Sequence, residues 1–164
     1  RDYYASRGLG DVYKRQVITN PDVLKELVTL VQEEYGKTEV TEQTPPYMVN
    51  IIKMSKEGKF VFHYNAPVLI VLAHKPVLAN NFSDTACAME NMMLACNELD
   101  LGSCWVNQLR HLQDNECIIK RLRELGMGDD EKVYASLAIG YPDLPNGLNR
   151  RELNIKGNPV TYID

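Results

Sequence analysis

The stretch from Ser83 to Asn107 constrains the fold of this chain more than any other part of its sequence. No glycine or proline occurs after Ser83 until Gly102, and the apolar residues recur at helical spacing. The residues that share this apolar face are Ala86, Met89, Met92, Met93, Cys96 and Leu99. The apolar run 104–106 follows Gly102 almost directly. The sequence therefore predicts a core helix from Asp84 to Leu99 that leads into a core strand, since methionine stripes usually pack in protein interiors.

Composition and charge exclude several functional classes. The 164 residues, 45% hydrophobic and 24% charged, suit one globular domain. A net charge of −4 argues against a nucleic-acid or anionic membrane partner, and no apolar run approaches the ~20 residues of a membrane span. The four cysteines form no CxxC pair and the three histidines have no metal spacing. We therefore expect a cytoplasmic protein with free thiols and no metal site.

Helical and extended patterns alternate along the rest of the chain. Asn20 is a plausible helix cap and Gly36 a stop signal, whereas Asp114 and Gly126 bracket a later helix. The further segments are strands over 17–19, 68–73, 133–141 and 159–163, and a short helix over 47–54. Buried strands that alternate with helices predict an α/β layer architecture.

Residues 1 to 16 share none of this periodicity. The run 11–16 resembles a translated adapter used in sequencing libraries, so we expect residues 1–16 to be a non-native or disordered leader. The expected domain covers residues 17–164.

Three motifs in a fixed order carry a family resemblance. They are the strand Ala66–Val71, the helix and turn over 84–105, and Ala138–Pro142. The helix and turn contribute Asp84, Ala86, Ala88, Asn91, Leu94 and Ala95, then Leu101, Gly102, Ser103, Cys104 and Trp105. Together these motifs resemble the flavin-dependent nitroreductase family. Cys96 and Asp100 depart from the usual alanine and glycine.

The resemblance implies a fold, a cofactor and a reaction. Members have a mixed central sheet surrounded by helices, form homodimers, and use FMN to pass electrons from NAD(P)H to nitroaromatics, quinones or similar acceptors. It implies that Cys104, Trp105, Val106 and Asn107 surround the flavin ring. Arg150 is the expected phosphate contact, with Arg151 and Lys156 in reserve. No catalytic side chain is implied, because the flavin itself carries the electrons. His63 and Tyr64 lie where members sometimes line the site, which is too loose for an assignment.

Other interpretations of the same residues stay open. Trp105 could be an ordinary core aromatic, and the basic residues after 148 could form a solvated tail. The chain could also be a non-catalytic flavin-binding or dimerisation module. Family members carry a further phosphate-binding segment before the strand that Val17 resembles. We therefore expect an N-terminally truncated member that binds FMN weakly by itself.

Overall fold

The computed structural model describes residues 14–76 and 80–143, together with positions 161 and 163. Within these residues the strands are β1 (Lys14–Ile18), β2 (Val68–His74), β3 (Gly102–Val106) and β4 (Lys132–Gly140). The helices are α1 (Pro21–Lys37), α2 (Pro46–Lys56), α3 (Asn81–Glu98), α4 (Gln108–His111) and α5 (Glu116–Glu124). Of the strand predicted over 159–163, only positions 161 and 163 are described, and neither belongs to a strand. The other predicted strands and helices are confirmed, and α4 is an addition.

The four described strands form one sheet in the order β1-β2-β4-β3. Each neighbouring pair is antiparallel. β2 and β3 therefore run in the same direction, with β4 between them and α3 as their connection. The predicted central sheet with helices around it is confirmed. Its pairing among the described strands is antiparallel rather than mixed, because β4 separates the two strands that run in parallel.

The sheet carries a helical layer on each face. On one face, α1 and α5 pack over β1 and β2, where Leu27, Val31, Leu69 and Val71 are fully buried. On the other face, α3 packs over β3 and β4 around Met89. This second core also contains Leu72, Ala88, Ala135 and Leu137. Successive residues of a strand enter opposite cores, as the pleat requires. Among the described helices, none combines the length and apolar character that a membrane span requires.

The predicted core helix is present as α3, but the apolar face predicted for it is only partly right. Met89 and Cys96 are buried as expected, whereas Leu99 is 69% exposed. Asn81, Thr85 and Ala88 are buried instead. Ala88 lies outside the apolar face that the sequence predicts. It is 3% exposed because a small side chain lets the helix approach the sheet closely.

The boundaries of α1 test two predictions about single residues. The Asn20 cap is confirmed, since its Oδ1 accepts from the N–H groups of Asp22 and Val23 at 2.9 and 3.4 Å. The stop at Gly36 is wrong, because α1 continues through this residue to Lys37.

The predicted cap of α5 is wrong by one residue. Asn115, not Asp114, accepts from the N–H groups of Cys117 and Ile118, both at 3.0 Å. Gly126 does end this helical region, with a φ of +102° that suits glycine best.

The first strand begins earlier than the sequence predicts. β1 starts at Lys14, which pairs with Ala73 of β2. The Gln16 side chain is buried and its Nε2 donates to the carbonyls of Leu122 and Leu125 at 3.1 and 2.9 Å. The leader predicted over residues 1–16 thus overlaps this strand by three residues, and residues 1–13 lie outside the described part.

Candidate functional site

A cleft of about 630 Å³ opens where β2 and β3 begin and β4 ends. The register brings these ends together, because Gly102 lies opposite Gly140 and Val68 opposite Ile139. The cleft is lined by residues 63–67 and 102–104, and by Ala138, Gly140, Tyr141 and Asp143. Its size falls within the roughly 300–1,000 Å³ of typical small-molecule sites.

Gly140 lies at the bottom of this cleft, where there is no room for a side chain. A Cβ at this position would lie 3.0 Å from Cδ of Pro67, which is closer than side chains normally approach. At Gly102, a Cβ would lie 3.5 Å from the carbonyl oxygen of Gly140. The ends of the strands can therefore pack together without side chains that would fill the space above them.

The segment that forms one wall has an unusual backbone. Tyr64 and Asn65 are consecutive non-glycine residues with φ of 55° and 58°. Such conformations cost on the order of 1–3 kcal/mol each and are concentrated at functional sites. The turn is held by an N–H of Ala66 that donates to the carbonyl of His63 at 3.0 Å. It leaves the Tyr64 side chain exposed beside the cleft.

His63 is the buried titratable group of the cleft. Its residue exposure is 6%, and its ring packs edge-on against Phe62 with centroids 5.4 Å apart. Burial lowers the pKa of the imidazole, while backbone groups of His63 and Ala66 offset part of this effect. Nδ1 is buried without a hydrogen-bond partner among the described residues. His63 is therefore neutral at pH 7 and has unused hydrogen-bonding capacity.

The pleat of β3 separates two of the residues predicted to surround the flavin. Cys104 lines the cleft, and burial raises the pKa of its thiol, so the group is uncharged at neutral pH. Trp105 packs instead with the core beneath α3. Its Nε1 donates to Oδ1 of Asn107 at 2.9 Å. The side chains of Trp105 and Asn107 are thus hydrogen-bonded to each other, and neither residue lines the cleft with Cys104.

The remaining predicted residues lie further along the chain. Val106 is 3% exposed and belongs to the core beneath α1. Asn107 directly precedes α4. Arg150, like Arg151 and Lys156, lies outside the described residues. Asp143 is the charged residue among those described around the cleft, which include no lysine or arginine.

The sequence did not identify most of residues 63–67, or Gly140, as residues that line the cleft. Ala66, Pro67 and Gly140 belong to motifs that carry the resemblance, but nothing local marks them as site residues. An asparagine that tolerates positive φ was the available signal at Asn65. In the described part of the chain, no group of three or more His, Cys, Asp or Glu side chains could hold a metal ion.

Comparisons with known proteins agree with this architecture. A model of the nitroreductase family matches residues 14–141. A nitroreductase with bound FMN from Bacteroides fragilis NCTC 9343 is 26% identical, with a TM-score of 0.79 over 98% of this chain and 81% of that chain. The predicted nitroreductase-like fold is therefore confirmed. A search of curated proteins found no match.

Two more distant structures show the fold alone. A nitroreductase with bound FMN from Desulfitobacterium hafniense DCB-2 is 14% identical, with a TM-score of 0.69 over 93% of this chain and 76% of that one. An FMN and NADPH-dependent nitroreductase from sphigopyxis sp. strain HMH is 17% identical, with a TM-score of 0.55 over 80% of this chain and 70% of that one.

Proposed function

Because the chain belongs to the nitroreductase family, we propose that it is an FMN-dependent oxidoreductase of the cytoplasm. In this proposal NAD(P)H reduces the flavin, which then reduces a nitroaromatic, a quinone or a similar small acceptor. The observation that carries the proposal is the family match over residues 14–141, supported by the FMN-bound relative at 26% identity. When bound, FMN would supply the hydride and electron transfer, and the protein would position it.

The described residues fit the ring of such a cofactor better than its phosphate. The cleft has apolar walls, an exposed aromatic ring at Tyr64 and an unpartnered polar group at His63. It has no described cation for a phosphate dianion. We therefore assign the phosphate contact to Arg150, which follows the described end of the cleft by seven positions, because a guanidinium can bind phosphate with two hydrogen bonds.

The backbone of β3 could bind the polar edge of the flavin ring. It lies at an edge of the described sheet, so the N–H and C=O groups of alternate residues face away from β4. The outward-facing N–H groups over 104–107 could donate hydrogen bonds where charge develops on the reduced ring. Asn107 adds a donor, since its Oδ1 accepts from Trp105 and its amide nitrogen has no partner among the described residues.

We also propose a homodimer that uses α3. Phe82 and Leu94 of α3 and Leu99 at its C-terminal end are 49%, 58% and 69% exposed. A second copy would remove this apolar surface from water. The competing interpretation is a non-catalytic flavin-binding or dimerisation module, which is favoured by the lack of a cation among the described residues of the cleft.

An FMN titration is the first test of the proposed oxidoreductase against the non-catalytic module. Binding is followed by quenching of flavin fluorescence, up to millimolar FMN because the sequence predicts weak binding. Arg150→Ala should weaken binding by about 10- to 100-fold, since a charged hydrogen bond contributes roughly 1.5–3 kcal/mol. The adjacent Arg151→Ala is the matched control and should have a smaller effect.

Anaerobic addition of NADH or NADPH to the FMN complex then tests the reaction. Bleaching of the flavin bands supports the oxidoreductase. A flavin that stays oxidised with both reductants supports the binding module, and no FMN binding at any concentration contradicts both flavin proposals.

A further inference from the structure

A second cleft, of about 490 Å³, lies between α1 and the segment 61–67. It shares His63, Asn65, Ala66 and Pro67 with the first cleft but contains no residue of β3 or β4. Its other lining residues are Pro21, Leu24, Lys25, Val28 and Val61. The segment with the strained turn at Tyr64 and Asn65 therefore separates the two clefts.

Lys25 is the charged residue among those that line this second cleft. Some other lysines form ion pairs, such as Lys37 with Glu34 at 3.0 Å and Lys75 with Asp130 at 2.7 Å. Lys25 has no ion pair within the described part of the chain. The adjacent carboxylate of Glu26 is held by Arg121 at 2.8 Å. The positive charge of Lys25 is therefore available to a ligand.

The opposite wall offers neutral hydrogen-bonding groups. His63 is more than nine-tenths buried and has an unpartnered ring nitrogen. Asn65, in its left-handed conformation, adds a side-chain amide to the same wall. The other residues that line this cleft are mostly apolar and include Leu24, Val28 and Val61. A ligand suited to this lining combines an apolar body with one negatively charged end.

We propose that this second cleft binds a small aromatic monocarboxylate. A single ammonium group matches a single negative charge, whereas a phosphate dianion is normally held by several charge-assisted donors. Leu24, Val28 and Val61 would pack against the ring, and Lys25 would pair with the carboxylate. The side-chain amide of Asn65 would provide hydrogen bonds for a polar ring substituent. The proposal does not rest on flavin chemistry.

The probe for this site is 4-fluorobenzoate, titrated into the protein and followed by ¹⁹F NMR. We expect saturable binding at millimolar concentrations and weaker binding of the uncharged isostere 4-fluorobenzamide. Lys25→Met should weaken 4-fluorobenzoate binding by about two- to fivefold, the range expected for a partly exposed ion pair. Lys120→Met is the control, because Lys120 is an exposed helical lysine outside both clefts.

The ring signals of His63 locate the ligand. They should shift on addition of 4-fluorobenzoate, whereas those of His111, which lies in neither of these two clefts, should not. The proposal is overturned if the acid and the amide bind equally, if Lys25→Met binds like the wild type, if the His63 signals stay unchanged, or if nothing binds. An FMN titration on the same sample tests the flavin proposal separately.

Discussion

The helices α1 and α3 have nearly the same length, 17 and 18 residues, but bury different kinds of side chains. α1 buries Leu24, Leu27, Val31 and Tyr35. α3 buries small or polar residues such as Thr85 and Ala88 next to Met89 and Cys96, and leaves larger apolar residues at the surface. Helical periodicity therefore identifies an apolar face but not how completely that face is covered.

The neighbours of the two helices explain this difference. α1 packs against α2 and α5 as well as the sheet, so its apolar stripe is covered from several directions. α3 packs chiefly on β3 and β4. The surface of α3 that faces away from the sheet, with Leu94 and the neighbouring Leu99, remains exposed. The α3 surface is thus where an additional protein surface would stabilise the molecule.

The largest difference between the two helices should be in the stability lost when a leucine is replaced by alanine. Leu27→Ala in α1 should lower the free energy of unfolding by about 2–5 kcal/mol, because Leu27 is fully buried and a cavity would remain. Leu94→Ala in α3 should change it by no more than about 0.5 kcal/mol. Urea denaturation at low protein concentration measures both. Equal losses would show that α3 is as fully packed as α1.

A charged variant of the same residue sharpens the comparison. If the proposed dimer uses α3, Leu94→Glu should shift sedimentation from dimer to monomer while the unfolding midpoint of the monomer stays unchanged. A wild-type protein that sediments as a monomer at micromolar concentration would contradict the dimer.

The caps of the two helices should give an intermediate effect. The side chain of Asn20 accepts two N–H groups at the start of α1, whereas Asn80 makes no side-chain cap to α3. Asn20→Ala should destabilise the protein by about 0.5–2 kcal/mol. Asn80→Ala, the matched control, should have little effect. Equal unfolding midpoints for the two variants would show that the cap of α1 contributes nothing measurable.

The smallest effect should come from the titration of His63, on the α1 side of the sheet. Burial lowers the pKa of this imidazole, so the unfolded chain binds a proton more readily than the folded protein. Its contribution to stability is therefore complete above the unfolded pKa of about 6.5 and is lost as the pH falls from there toward the lower folded value.

The slope due to one such group cannot exceed about 1.4 kcal/mol per pH unit. We expect His63→Gln to flatten the dependence of unfolding free energy on pH between 7 and 5 by a fraction of this maximum slope. His111→Gln, at an exposed position, is the control. A wild-type and a His63→Gln curve with the same slope would contradict the assignment of a buried neutral imidazole.

Local patterns determined most of the elements. The apolar runs in β2 and β4 predict buried strands, Asn20 and Pro21 predict the start of α1, and the motifs around α3 predict the family. Each of these signals depends on residues close together in sequence, where propensity, capping and side-chain periodicity act directly.

Tertiary structure alone decided the site. The cleft joins residues 63–67, 102–104 and 138–143, and only the register of β2, β3 and β4 places these distant segments together. The same register puts Cys104 at the cleft and Trp105 in the core beneath α3. Pairing of distant strands depends on the packing of the whole chain, so neither the composition of the cleft nor the exposure of α3 could be derived from local sequence.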